Sequence, residues 1–248
     1  MEVRVQRGLA AVFFGWHDVE EFDALIATAH AVQSSESGRL SVGFCTSLSA
    51  GNLQTSLLEF KQQYPQIELA TIERSRTRLA AELRNGVIDM LIAPGRPPLL
   101  DASALPLWSE RVLVALPQDH TLSSRETVNW IDLHEQTVSL SHYDPGKEFE
   151  YLLVSKLVSP EDRPKIERHD VRRGIIMSLI SMRAGISLVL ESDMGPNFAG
   201  LTYREVRDGT GPSRFDFSVI GKAKNENPAL AVFLQLVSER YPSPPPGR

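Results

Sequence analysis

The strongest constraint on this chain is a run of alternating elements between Arg39 and Ala93. Leu40, Val42 and Phe44 alternate with small residues, which is the period of a half-buried strand. The polar stretch Thr46-Ser47-Leu48-Ser49-Ala50-Gly51-Asn52 follows as a loop. Leu53, Leu57, Phe60 and Tyr64 then recur at helical spacing until Pro65, which cannot continue a helix. Ile67 to Ile72 reads as a second strand. Thr77 to Asn85 reads as a second helix, with Leu79 and Leu83 on one face and Gly86 as its stop. Val87 to Ala93 is a nearly continuous apolar run, the mark of a strand covered on both faces. The order is βαβαβ. Crossovers of that length join parallel strands, and ligands in such sheets sit at the strands' carboxyl ends against helix N-termini. Here those ends carry Thr46-Ser47 and Ser75-Arg76.

The remainder supports a second α/β unit. Pro94 to Pro98 is a turn-rich link, and Arg111 to Leu116 alternates as a strand. A short helix is predicted near Trp130 to His134, a strand at Thr137 to Leu140, a loop at Ser141 to Gly146 and a helix at Lys147 to Leu157. Lys165 to His169 reads as a strand, Arg172 to Arg183 as a helix faced by Ile175, Ile176, Leu179 and Ile180, and Ile186 to Leu190 as a central strand. Phe215 to Ile220 alternates as a strand that carries the chain back to the first unit. Pro228 starts a last helix with Leu230, Phe233, Leu234 and Val237 on one face.

These pieces carry a family resemblance. Gly38-Arg39-Leu40-x-Val42-Gly43-Phe44, a serine-bearing loop, a helix running into Tyr64-Pro65-x-Ile67-x-Leu69, and Gly86-x-Ile88-Asp89 together resemble the effector-binding domain of LysR-type transcriptional regulators. Leu113-Val114-Ala115-Leu116-Pro117 with His120-Thr121-Leu122 is similar to a further family segment, with Thr121 where proline is usual. Ala184-Gly185-Ile186-Ser187-Leu188-Val189 matches another, with Leu190 where proline is common. The resemblance spans roughly residues 39–241. It implies an α/β, two-lobed fold like a type 2 periplasmic binding protein, with a small effector between the lobes. The expected division is residues 39–241 as the effector-binding domain: lobe I at 40–116 and 221–241, lobe II at 117–220. Residues 242–248 are expected to form a disordered, proline-rich tail.

In the resembled family a linker helix precedes this domain and pairs in a dimer. Val19, Phe22, Ile26 and Ala29 form an a/d seam between His17 and Ser35, which fits either such a dimer helix or an amphipathic helix packed on its own domain. Family members place a winged helix-turn-helix before it. Residues 1–38 hold two arginines against six carboxylates, a net −4 that is the wrong sign for neutralising phosphates. DNA binding is therefore expected only with a helix-turn-helix supplied upstream, and the chain itself is expected to sense a small molecule and to form a homo-oligomer.

Composition narrows the classes. The chain has 248 residues, 42% of them hydrophobic, enough for two packed lobes, and its net charge of −5 argues against a nucleic-acid surface over the whole. One cysteine, Cys45, excludes an internal disulfide and fits a reducing cytosol. With neither a signal-peptide pattern nor an apolar run near about 18 residues, the expectation is a cytoplasmic protein, not a membrane one. A secreted solute receptor for transport is the alternative on this fold, and the missing signal counts against it. The six histidines show no metal spacing, and GxSxG, Walker and GxGxxG motifs are absent, so no catalytic residue, metal or cofactor is expected.

Candidate effector contacts follow from the strand ends. Thr46, Ser47 and Ser49 precede a helix start, where hydroxyls and free backbone N–H groups make an anion cradle or simply a cap. The family pattern Gly-Phe-x-x-Ser puts Ser47 first among them. Ser75 opens the second helix and Arg76 offers a carboxylate fork, with Arg74 and Arg78 as rivals for that role. From the second lobe, family analogy brings the loop Ser141-His142-Tyr143-Asp144-Pro145 to the same cleft, His142 to hydrogen-bond an acid and Tyr143 to stack on it. Ile186 is expected to border the pocket as scaffold. Cys45, one residue before the cradle, reads as a buried thiol.

Overall fold

The structure, a computed structural model, describes residues 38–95, 102–196, 198–209 and 211–242. The helix expected over residues 17–35, most of the proline-rich link after Gly95 and the tail beyond 242 lie outside them. In chain order the elements are β1 (Gly38–Phe44), α1 (Gly51–Gln63), β2 (Ile67–Glu73), α2 (Arg76–Arg84), β3 (Met90–Pro94), β4 (Ala102–Pro117), β5 (Thr127–Asn129), β6 (Thr137–Ser141), α3 (Gly146–Lys156), β7 (Lys165–His169), α4 (Arg173–Ser181), β8 (Ser187–Leu190), β9 (Leu201–Asp208), β10 (Gly211–Pro212), β11 (Arg214–Lys222) and α5 (Pro228–Arg240).

The βαβαβ reading holds. β1 pairs in parallel with β2 along its whole length and with β3 from Val42 to Phe44. Its Leu40, Val42 and Phe44 enter one core with Leu53, Leu57 and Phe60 of α1 and Phe233, Leu234 and Val237 of α5. Leu79 and Leu83 of α2 cover another side with Cys45, Ile88 and Leu91. The third strand starts at Met90, not Val87. Val87 is 57% exposed, and Asp89 turns its carboxylate to accept the Ser41 N–H at 2.7 Å, so this stretch forms a turn before the strand.

Among the described residues nine strands join one sheet, ordered β10-β9-β4-β11-β3-β1-β2, with β5 on β9 and β8 on β4; β6 and β7 form a separate parallel pair. β4 was expected to span only Arg111 to Leu116, yet it has 16 residues. Its first half pairs with β11 as far as Arg111, and its second half pairs with β8 from Val112 and with β9 from Leu113. Pro106 hid the first half, because proline argues against a central strand. Here it sits where β4 is bonded to β11 alone and the ladder shifts register between Asp216 and Ser218. The helix expected at Trp130 to His134 is a single 3-10 turn, Trp130–Leu133. In the second lobe α4 lays Ile176, Met177 and Ile180 on Leu113, Ala115 and Val189, and α3 buries Phe149 and Leu153. Among the described residues no helix is long and apolar enough to cross a membrane.

The last helix closes the first lobe. Phe233 is fully buried, and its ring meets Phe60 edge-on at 5.3 Å. Phe233→Ala is therefore expected to lower unfolding free energy by about 3–5 kcal/mol in a denaturant titration. A loss under about 1 kcal/mol would mean that α5 does not close this core.

Candidate functional site

Two helix starts of the first lobe face the second. After β1 the chain passes Cys45 and Thr46 before α1 begins at Gly51, whose N-cap Ala50 gives no side-chain cap. Ser47 and Ser49 turn to each other instead, hydroxyl to hydroxyl at 2.5 Å. The Ser47 hydroxyl accepts the Ser49 N–H at 3.2 Å, and the Ser49 hydroxyl donates to the Ser192 carbonyl of the other lobe at 3.0 Å. Gly195 is needed there, since a Cβ would lie 2.3 Å from the Ser49 carbonyl oxygen. The Thr46 hydroxyl is buried without a hydrogen-bond partner.

After β2, Ser75 is the N-cap of α2, but its hydroxyl does not cap it. The cap comes from the second lobe: the Arg76 N–H donates to Asp144 Oδ2 at 2.5 Å. The Arg76 guanidinium lies 3.4 Å from the Glu148 carboxylate and also donates to the Pro94 carbonyl. Arg76 is thus tied into the protein and does not offer a free fork. Burial is the main influence on Glu148, aided by the nearby Asp144 charge, and together these push its carboxyl above the ordinary range against the pull of Arg76.

The loop after β6 is shaped by its own bonds. The Ser141 hydroxyl donates to the Val171 carbonyl at 2.7 Å and accepts the Tyr143 N–H at 3.1 Å. Tyr143 is 48% exposed, and a hydrogen bond to Asp170 raises its phenol. His142 is exposed and donates its N–H to the His169 carbonyl. Pro145 is buried.

Between these parts lies a cavity of about 260 Å³, lined by Cys45, Glu73, Arg74, Ser75 and Arg78 on one side and Ser141, Tyr143, Asp144, Arg172 and Arg173 on the other. Ser75, Ser141 and Tyr143 are thus brought together as the sequence suggested. Thr46 neighbours Cys45 in the chain, Arg76 is held behind the Asp144 contact, and Ser47 and Ser49 face the other lobe at the Ser192 turn. Ile186 does not reach the cavity; it is fully buried and bridges Val138.

Sequence reasoning alone does not point to Arg172 and Arg173, which line the cavity. They open α4, where the helix dipole disfavours positive charge, and that local misfit was the available signal. Arg173 lies 3.6 Å from both Glu73 and Asp193, and Arg172 lies 3.4 Å from Glu73. Four arginines line the cavity against Glu73 and Asp144, a formal excess of +2. Burial pushes the Cys45 thiol up to about 12, so it stays protonated at neutral pH and is a poor nucleophile.

A two-lobed α/β body whose strand ends and helix starts meet at a charged cleft has the periplasmic-binding-protein-like fold. More closely, the chain belongs to the LysR substrate binding domain family, whose model matches residues 33–242. It is similar to the transcriptional dual regulator GltC of Bacillus subtilis, 27% identical over 156 residues, which cover 62% of this chain and 51% of that protein. The chain therefore spans about half the length of this curated relative. Its fold resembles the BenM effector binding domain with its effector benzoate, at a TM-score of 0.70 and 20% identity over 84% of this chain and 96% of that one. Full-length CbnR complexed with its target DNA gives a TM-score of 0.71 at 17% identity, covering 90% of this chain and 76% of that one.

The raised carboxyl of Glu148 has a pH consequence. Relative to an ordinary glutamate value of 4.5, its stabilising contribution is fully present below that value and is lost as pH rises through the higher folded one. Glu148→Gln should therefore gain stability relative to the wild type as pH rises from about 4.5 to 8 in thermal melts. A difference that is flat or falls with pH would show that Arg76 outweighs burial.

Proposed function

We propose that this chain is the effector-sensing module of a LysR-type transcriptional regulator, and that a small anionic molecule binds in the cavity between its lobes. The observation that carries this is the arginine excess in a cavity formed where strand ends and helix starts converge. BenM, a structural neighbour, holds benzoate, itself a carboxylate, as its effector. The proposed contacts are Arg172 and Arg173 with Ser75, Ser141 and Tyr143, bordered by Thr46, Ser47 and Ser49. Arg76 and Pro145 hold the walls, while His142 stands outside as a rim residue.

Lobe closure on the effector would bias how protomers pack in a homo-oligomer. We place the lobe boundary within β4 at Arg111–Val112 and before β11 at Ser213–Arg214, where the strand partners change, earlier than the sequence suggested. Contact with DNA would come from a helix-turn-helix module preceding this domain, in the cytoplasm. The named relatives are regulators, which favours this reading over a transport receptor or an enzyme.

The test is a thermal-shift screen of small carboxylates followed by calorimetry. Arg173→Gln should weaken the best hit by about tenfold to a hundredfold, about 1.4–3 kcal/mol, while leaving the melt of the free protein nearly unchanged. Unaltered affinity would place the site elsewhere.

A further inference from the structure

Each lobe lends one carboxylate to a helix start of the other. Asp144 of the second lobe accepts the Arg76 N–H that opens α2. Glu73 of the first lobe lies 3.4 Å from Arg172 and 3.6 Å from Arg173, which open α4. Both carboxylates line the same cavity. Local stability alone would be served by a Ser75 hydroxyl on α2 and an acidic first turn on α4. The chain has neither: Ser75 makes no cap bond, and α4 has no acidic residue in its first turn. The surroundings are also incompletely satisfied. The Thr46 hydroxyl, in a residue 1% exposed, has no hydrogen-bond partner, and the buried Arg173 Nη1 has only the Asp193 carboxylate at 3.6 Å, too far for a hydrogen bond.

We propose that Asp144 and Glu73 are built-in occupants of two anion seats, and that the effector is a small dicarboxylate whose two ends displace them. The inference rests on the cleft reading above and deepens it. A ligand with one carboxylate replaces one occupant and leaves the other clasp closed. A ligand with two releases both, so its binding is coupled to the way the lobes meet. The cavity, about 260 Å³, falls below the range of about 300–1,000 Å³ that takes drug-sized ligands, and so fits a molecule of metabolite size.

The experiment titrates wild type, Asp144→Asn, Glu73→Gln and the double variant calorimetrically at neutral pH. The ligands are malonate, succinate, glutarate and adipate, with butyrate as the single-carboxylate control. An internal competitor lowers apparent affinity by the fraction of time it holds the seat, so the double variant should bind at least one dicarboxylate about tenfold more tightly than wild type. Butyrate should gain less than about threefold by the same reasoning. Equal affinity in wild type and double variant, an equal gain for butyrate, or no dicarboxylate binding by the folded variants overturns the proposal. Glu73→Gln changes a half-exposed side chain at a strand end, so it keeps the test valid should Asp144→Asn fold poorly. Arg173→Gln separates the two readings. If it abolishes binding while the clasp variants change nothing, only the displacement proposal falls. If dicarboxylates bind Arg173→Gln as well as wild type, the cleft reading falls too.

Discussion

Both lobes hang from one strand. β4 hydrogen-bonds β11 up to Arg111 and then β8 and β9 from Val112 and Leu113, so it exchanges its partners within about two residues, beside the start of β11 at Arg214. The side chains there fix that passage. Glu110, only 2% exposed, accepts the Trp108 indole N–H at 3.1 Å and the Ser192 N–H at 3.3 Å. Trp108 stacks on Phe217 of β11 with ring centroids 5.9 Å apart. Arg111 forks to Glu191 at 2.7 Å and Glu205 at 3.1 Å, which belong to the two segments β4 meets next. Burial pushes the Glu110 carboxyl up in spite of those hydrogen bonds, so ionising it within the passage carries a cost.

The cleft follows from that placement. Parallel strands bring their carboxyl ends to one edge, and each following helix starts there with N–H groups that need acceptors. At α2 the acceptor is Asp144, contributed across the cleft rather than by the local cap residue. At α4 the paired arginines meet Glu73 across the same gap. The arrangement breaks local rules twice, once in an unused Ser cap and once in cations at a positive helix end. Such breaks concentrate at functional sites, because the compensating partner is supplied from a distance and can be exchanged.

The first lobe was legible because each of its elements repeats one message. Leu40-Val42-Phe44 alternate, Leu53-Leu57-Phe60 step by helical turns, and Pro65 and Gly86 stop the helices where the structure stops them. β9 was missed because Arg204, Glu205 and Arg207 interrupt its apolar alternation, although Tyr203 and Val206 are good strand formers. The longer β4 was missed at Pro106, since bonding to one neighbour only is a tertiary fact that local spacing does not carry. Of the residues that line the cavity, the strand ends pointed to Ser75 and the family resemblance to the loop of Ser141 and Tyr143. The clasp was not legible, because Asp144 and Arg76 lie 68 residues apart and pair only once both lobes are built.

The strengths of the two clasps differ, and that difference bears on how the cleft opens. Arg172 is 81% exposed and Glu73 48% exposed, so their attraction is screened by water and worth no more than about 0–1 kcal/mol. Arg76 and Glu148 are only 23% and 16% exposed, and Asp144 adds a short charge-assisted bond to the backbone beside them. The Arg172–Glu73 contact is therefore the most screened of these, while Arg173, 21% exposed, is about as shielded as Arg76 on the α2 side. On the proposed reading, an anion entering the cleft would meet Arg172 first, at the exposed end, and then the less exposed Arg173. The proposed deeper seat would then open for a ligand whose second end replaces the Asp144 carboxylate at the Arg76 N–H. On the proposed reading this ordering would couple recognition at the surface to the lobe contact at α2, where the Arg76–Glu148 pair still ties α3 to the first lobe after the Asp144 exchange.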